Sequence, residues 1–592
     1  MNVLLMLAIA AAAFLLASRF YGAYLARTLG EDASSKTPAQ AMNDGRDYVP
    51  TKRYVVFAHH FSAIAGAGPI VGPTVAILYG FLPAWLWVVF GGIFIGAVHD
   101  FVALFVSMRE GGKSMAEVAR KSLGNWGFNL IVLFTLIMLV LINAAFLNMT
   151  AQSLTSMWPL EKLGLGAGTH LLQIVEINGV PNGQIGGIAS TSVIIITLCA
   201  PFLGWLLYRR GIRQLYAYLL ATCICVSSIL LGIWLPISLD PRLWMVILSI
   251  YVLFASGTPV WFILQPRDFI NVQILYAGIG LLFLSLVIAG GSGATVAMPT
   301  FNLEEGTREL GWIWPMMFIT IACGAVSGFH SVVASGTTVK QMSSEGDARK
   351  IGFNAMLLES LLAVCVLLAI SIGLNYADYK SIVWPAAGSG ANANPILAFS
   401  LGAGHLFNKT LGIPVELATV FGILMVEGFV ITTLDAAVRL NRYLFEELWG
   451  ILFTNPPALI KSYWFNSGLS VVLMVAFAVT NGFKVLWPIF GAGNQLLAAL
   501  SLLAVSSWLM VRGRKAWFTL APAAFMMATT IGSLLILLNT YLRDGKYVLV
   551  ATAIVLLCLS GGVIALVFAK IVRPALMGRP ALGAAPTLES GE

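Results

Sequence analysis

Fifteen stretches of about 20 mostly apolar residues, each able to cross hydrocarbon as a helix, recur along the chain between short polar loops. They begin near 3–26, 56–80 and 82–108 and end near 485–510, 516–540 and 547–569. So many segments of spanning length read as an all-α polytopic membrane protein. Successive loops must then alternate between the two faces of a membrane, and the basic residues test this. Lys and Arg gather in every second loop, as in Arg27, Lys36, Lys52 and Arg53, then Arg109, Lys113, Arg120 and Lys121, and later Arg512, Arg514 and Lys515. Intervening loops carry isolated cations such as Lys162, Arg242 and Arg308. By the positive-inside rule the basic loops are cytoplasmic, the amino terminus is outside and the carboxyl terminus is cytoplasmic.

The second apolar segment is interrupted. His59-His60-Phe61-Ser62-Ala63-Ile64-Ala65-Gly66-Ala67-Gly68-Pro69-Ile70-Val71-Gly72-Pro73 packs three glycines and two prolines into the middle of a span. Irregular backbone survives at bilayer depth only where it is buried in protein or lines a wet cavity. Such broken helices point to a transporter's binding site. Five spans later, in the segment 243–264, Ala255-Ser256-Gly257-Thr258-Pro259 reads as a second break. Two breaks five spans apart run in opposite directions, as an inverted five-plus-five repeat requires. A third interruption is expected at Trp487 to Gln495, with Asn494 and Gln495 bonding a neighbouring helix.

Composition adds little that the pattern does not already carry. The chain is 59% hydrophobic and 10% charged, and its net charge of +8 reflects orientation and anionic lipid rather than nucleic acid. The six cysteines fall in apolar spans and read as small core residues, with no metal-ligand spacing and no disulfide framework. The first apolar run lacks a basic leader and a cleavage site, so it reads as a retained helix.

Candidate chemistry concentrates at the first break. Where the helix resumes, free amides and the positive end of its dipole suit a carboxylate, so Gly66, Ala67, Gly68, Pro69 and Ile70 form the expected substrate site, joined by Ser256, Gly257 and Thr258. Ionisable residues inside spans are functional candidates. These are His59, His60, His99, Asp100, His330 and Glu427, with the hydroxyls of Ser335, Thr337 and Thr338 nearby. Neighbours on a helix diverge, so a His–carboxylate pairing is expected between helices rather than within His99-Asp100. No nucleotide-binding loop and no nucleophile–base pair occurs, so neither an enzyme nor an ATP-driven pump is expected, and no cofactor.

Several of these runs resemble the carbon starvation protein A family: Gly45 to Thr51 with His59-His60-Phe61 and the first break, Gly96 to Asp100, Pro259-Val260-Trp261 with Gln265 to Asp268, Ser327 to Ser331, Ser335 to Thr338, Thr432 to Asp435, and Phe490 to Leu497. The likeness extends to about residue 570. Ala58 stands where the family pattern has a glycine, and Asn354 where it has a small residue. The resemblance implies a bacterial inner-membrane secondary transporter that takes up pyruvate or a related small carboxylate during carbon starvation, with a peptide transporter as the alternative and a non-transporting nutrient sensor behind it. It further implies a leucine-transporter-like fold with one extra amino-terminal and about four extra carboxyl-terminal helices. The parts are 1–55, a ten-helix core at 56–440, helices at 441–570 and a disordered tail at 571–592. The coupled cation is a proton, or else sodium at Ser335 and Thr338.

Overall fold

The structure, a computed structural model, describes residues 1–44, 48–163, 165, 172–177, 179–259, 262–386 and 392–573. The expectations placed on residues 45–47, on Val260 and Trp261, and on the tail from 574 lie outside these. Among the described residues twelve helices are long and apolar enough to span a membrane, or thirteen when one bent pair is counted as a single span. The chain is a mostly helical, polytopic membrane protein.

In order, α1 is Val3–Leu29, and the bent pair is α2 (Arg53–Ile64) and α3 (Gly68–Tyr79), turned by 42°. Then come α4 (Phe81–Arg109), α5 (Met115–Ser153), α6 (Gly186–Leu207) and α7 (Leu215–Trp234). The shorter α8 (Pro241–Gly257) and the full-length α9 (Leu264–Gly291) follow. Next are two eight-residue helices, α10 (Ile313–Thr320) and α11 (Phe329–Gly336). The span α12 (Glu345–Gly373) precedes the short α13 (Tyr376–Val383) and α14 (Pro395–Leu411). Five long helices complete the bundle: α15 (Val415–Leu452), α16 (Tyr463–Thr480), α17 (Phe483–Val511), α18 (Trp517–Arg543) and α19 (Tyr547–Lys570). Every expected apolar window has a helical counterpart, although the one at 313–338 is split into α10 and α11.

Between α5 and α6 a small antiparallel sheet has strand order β1-β3-β2, formed by β1 (Met157–Pro159), β2 (Gln173–Ile177) and β3 (Val180–Gln184). Gly179, at φ 77°, makes the tight turn between β2 and β3 that a side chain would oppose.

The loops sort by face. Arg109 donates to the Gly30 carbonyl and pairs with Glu345, Arg514 donates to the Leu29 carbonyl, Arg512 pairs with Glu110, and Lys570 reaches the Leu123 carbonyl. At the opposite face Val3 bonds to Ala294, Phe81 to Pro299 and Ala297 to Ser371, all through backbone. The loops expected to share the basic side thus do lie together.

The break expected at Ala255 to Pro259 is the carboxyl end of α8 instead. Its last carbonyls are held from α15, where Arg439 donates to Ala255 and Thr258 at 2.7 Å each and Arg442 donates to Ser256 at 2.9 Å. Cations at a helix carboxyl end offset its dipole, so a Gly-Thr-Pro run that looked like an opening is an ordinary helix stop. No third break occurs either, because α17 runs through Pro488 without interruption. The second broken span is α10–α11, unwound over residues 321–328.

With that assignment, like elements recur in the same order. A broken span is followed by a helix with one widened turn, Gly92–Gly96 in α4 and Arg349–Phe353 in α12. Next come helices of 39 and 38 residues, α5 and α15, and then α8 and α9 in one set and α16 and α17 in the other. Contacts exchange accordingly: α5 packs along α15, α8 along α16, α9 along α15 and α17 along α5. The pair α6–α7 is inserted into the first set, and α1, α18 and α19 lie outside both.

Candidate functional site

The two broken spans cross in opposite directions. His60 Nδ1 lies 2.9 Å from Thr338 Oγ1, Gly68 abuts Cys323 and Gly72 abuts Thr320, so numbers rise on one strand of the crossing as they fall on the other. The glycines are what permit this approach. A Cβ on Gly68 would lie 2.3 Å from Cβ and Sγ of Cys323, and one on Gly66 would lie 2.6 Å from Thr433 Oγ1. Helical hydrogen bonding stops at Ala65 N, which donates to Phe61 O at 2.8 Å, and resumes when Val71 N donates to Ala67 O at 2.8 Å. The amides of Gly66, Ala67 and Gly68 make no helical bond, and Pro69 has none to offer. These bare donors sit at the positive end of α3.

The second break is held open from the side by α17. Trp487 Nε1 donates to Thr320 O at 3.1 Å, and Gln495 Nε2 donates to Ile321 O at 3.1 Å. Asn494 Nδ2 donates to Ala322 O at 2.8 Å while its Oδ1 accepts from Phe329 N at 2.9 Å. Three side chains of one helix thus satisfy the backbone groups that unwinding exposes, which is why a segment without proline can stay unwound in the core.

Beside the crossing lies a buried ionisable cluster. Asp100 of α4 accepts from His99 Nδ1 at 2.8 Å with one oxygen and meets His330 Nδ1 of α11 at 2.8 Å with the other. Glu359 of α12 approaches the far side of the same ring, Oε2 to Nε2 3.4 Å. All four side chains are fully buried. The expectation that His99 and Asp100 cannot meet is corrected, since one carboxylate serves the adjacent ring and the ring of another helix together. His60 is bonded to Thr338, whereas His59 Nε2 is buried without a partner.

A second polar layer runs along α15. Glu427, fully buried, accepts from Ser153 of α5, and its Oε2 has no partner. Two turns on, Asp435 Oδ2 accepts from Tyr251 at 2.6 Å and from Arg267 Nη1 at 3.2 Å, the arginine and aspartate side chains each 1% exposed. Removing one partner of a buried pair leaves the other charge uncompensated, at a cost of about 3–5 kcal/mol. Arg267→Ala is therefore expected to lower the thermal stability of the detergent-solubilised protein strongly. An Arg267→Met, Asp435→Leu double variant should recover most of the loss, and strict additivity of the two single changes would refute the pairing.

The structure thus brings Gly66, Ala67, Gly68, Pro69 and Ile70 against the second break, and places His99, Asp100 and His330 in one cluster. It does not bring Ser256, Gly257 and Thr258 there: they face Arg439 and Arg442, roughly 18 Å along α15 from Glu427 at ~1.5 Å per residue. The hydroxyls suggested for sodium donate locally, which leaves their oxygen lone pairs available. Ser335 donates to Ser331 O at 2.7 Å, Thr337 to Val333 O at 3.1 Å, and Thr338 meets His60. The hydroxyl facing the first break is instead Thr433. Cys323, read as a core residue, and Glu359, not among the expected site residues, are both part of the cluster. The signal for Cys323 was Gly324 and Gly328 within an apolar span, a break marked by glycine alone.

Comparison with known proteins fits this arrangement. The family described as carbon starvation protein CstA matches residues 2–396 and 386–533. The peptide transporter CstA of Bacillus subtilis strain 168 is 32% identical over 551 residues, covering 87% of each chain. The pyruvate/proton symporter BtsT of Escherichia coli strain K12 is 29% identical over 597 residues, 88% of this chain and 80% of its own. The peptide transporter CstA of Campylobacter jejuni is 29% identical over 571 residues, 88% of this chain and 78% of its own. Among solved structures, MhsT in complex with L-phenylalanine aligns over 86% of this chain and 99% of its own at 12% identity and TM-score 0.46, a likeness too loose to argue from. The match over most of the chain, together with the two crossed breaks, makes this protein a member of the carbon starvation protein CstA family of membrane transporters.

Proposed function

We propose that the protein is a secondary active transporter that takes up pyruvate or a related small carboxylate into a bacterial cell together with a proton. It would sit in the cytoplasmic membrane with its basic loops and carboxyl terminus inside. The transport core would be the two recurring sets, residues 53–511, rather than 56–440. The observation that carries the reading is the row of bare amides at Gly66 to Gly68, set at the positive end of α3 and opposite a second unwound segment. The segments are in contact, so a carboxylate would enter only as α2–α3 and α10–α11 separate, which is the motion an alternating-access carrier needs.

Coupling falls to Glu427, a carboxyl that can gain and lose a proton without breaking an ion pair. It faces Ser153 of α5 and Asn271 of α9, whose amide donates to Gly428 O at 3.3 Å, with Arg267 the nearby cation. In proteoliposomes, labelled pyruvate should accumulate under an inward pH gradient without sodium. Glu427→Gln should lose that accumulation by about tenfold or more yet keep pyruvate counterflow, which needs no net proton movement. Sodium-dependent uptake indifferent to pH would overturn the proton assignment.

A peptide substrate is the second reading, favoured by the unpartnered oxygen of Glu427, which suits an amino group. Short peptides that compete with pyruvate and are themselves accumulated would select it.

A further inference from the structure

Sγ of Cys323, a ring nitrogen of His330 and a carboxylate oxygen of Glu359 lie within 4.8 Å of one another, and all three residues are buried. They come from the unwound segment, the start of α11 and the middle of α12. Their arrangement is unusual for a structural hydrogen-bond cluster, because the atoms that face inward are unsatisfied. Neither oxygen of Glu359 has a hydrogen-bond partner, nor does His330 Nε2. The opposite nitrogen, Nδ1, is tied to Asp100 Oδ2 at 2.8 Å. A carboxylate on one imidazole nitrogen orients the ring and makes the other nitrogen a better metal donor, the usual surroundings of a ligating histidine. Asn494 Nδ2, 3.7 Å from Cys323 Sγ, is placed to donate to a thiolate.

Charge is consistent with a cation at these atoms once the ligands are deprotonated. Among the described residues the ion-pair partners of Asp100 and Glu359 are histidines only, with no Lys or Arg. With Cys323 deprotonated as a ligand, two carboxylates and a thiolate beside a neutral imidazole carry three negative charges, of which a divalent cation offsets two. The spacing is close to what is needed. Tetrahedral zinc with bonds of about 2.0–2.3 Å sets its ligand atoms roughly 3.3–3.8 Å apart. His330 and Glu359 stand at 3.4 Å already. The sulfur lies within 4.8 Å of both.

We propose that Cys323, His330 and Glu359 form a binding site for a late first-row divalent cation, best matched by zinc, with Asp100 holding the histidine. One sulfur, one nitrogen and one oxygen ligand select this class over calcium or magnesium, which take oxygen alone. Three protein ligands leave one coordination position open. A cation there would tie the second break to α11 and α12, and the proposal stands whether the transported solute is an acid, a peptide or neither.

The test uses the full chain, purified in detergent and stripped with a chelator, then titrated with zinc chloride and, separately, with cobalt(II) chloride. One equivalent of zinc is expected to remain after dialysis, by elemental analysis. Cobalt should give a near-ultraviolet thiolate charge-transfer band. Cys323→Ser should abolish the band, and Cys323→Ser and Glu359→Gln should each weaken zinc binding at least tenfold, with Asp100→Asn weakening it about 10- to 100-fold. Cys365→Ser, a change at a buried cysteine outside the cluster, should leave both readouts unchanged. No retained zinc in the monodisperse wild-type protein, no cobalt band, or a zinc affinity indifferent to the cluster changes would each overturn the proposal. The wild-type cobalt spectrum keeps the test decisive should a cluster variant fail to fold.

Discussion

Gly68→Ala is expected to abolish the proposed uptake of a small carboxylate, with a loss of about 100-fold or more, and to reduce the yield of monodisperse protein. The added methyl would lie 2.3 Å from both Cβ and Sγ of Cys323, well inside van der Waals contact. Overpacking of a tight core costs about 1–3 kcal/mol, and here the strain falls on the crossing through which the solute would pass. The same geometry predicts its own rescue. Cys323→Gly removes both offending atoms and leaves the Cys323 Cα at an ordinary 3.7 Å, so the double variant should regain most of the yield lost in Gly68→Ala. Fluorescence-detected size-exclusion of membranes from the three variants checks this. A double variant no better folded than Gly68→Ala would mean that the two breaks do not meet as described.

Asn494→Ala is the second large effect. The side chain donates to Ala322 O at 2.8 Å and to Ser327 Oγ at 3.0 Å, and accepts from Phe329 N at 2.9 Å. Each buried polar group left without a partner costs about 1–3 kcal/mol, so truncation should destabilise the protein by ~3 kcal/mol or more. Asn494→Asp keeps the acceptor for Phe329 but loses both donations, and should fall between wild type and alanine in unfolding temperature. Alanine behaving like wild type would show that the second break does not depend on α17.

How far the site was legible in the sequence follows from how each residue earns its place. The first break could be read because Gly66, Gly68 and Pro69 weaken the helix locally, and Pro69 is placed to start a new one at α3. The second could not, because residues 321–328 contain no proline and are kept unwound by Trp487, Asn494 and Gln495, more than 150 positions away. Ser256, Gly257 and Thr258 misled for the converse reason: a helix end clamped by Arg439 and Arg442 has the same local composition as an opening. His330 and Asp100 were visible as costly groups in apolar spans, but their shared contact, and the part played by Cys323 and Glu359, depend on how α4, α10–α11 and α12 pack.

Taken alone, the sequence determined that this is a many-spanning helical membrane protein, that its basic residues gather in alternate loops, and where its chain first breaks. Hydropathy, charge asymmetry and glycine–proline chemistry act locally, so they can be read residue by residue. Only the tertiary structure decided which second segment is broken, which helices correspond, and which of the buried ionisable groups meet, because in a membrane interior polar groups must find partners across helices and the partner is not written beside them.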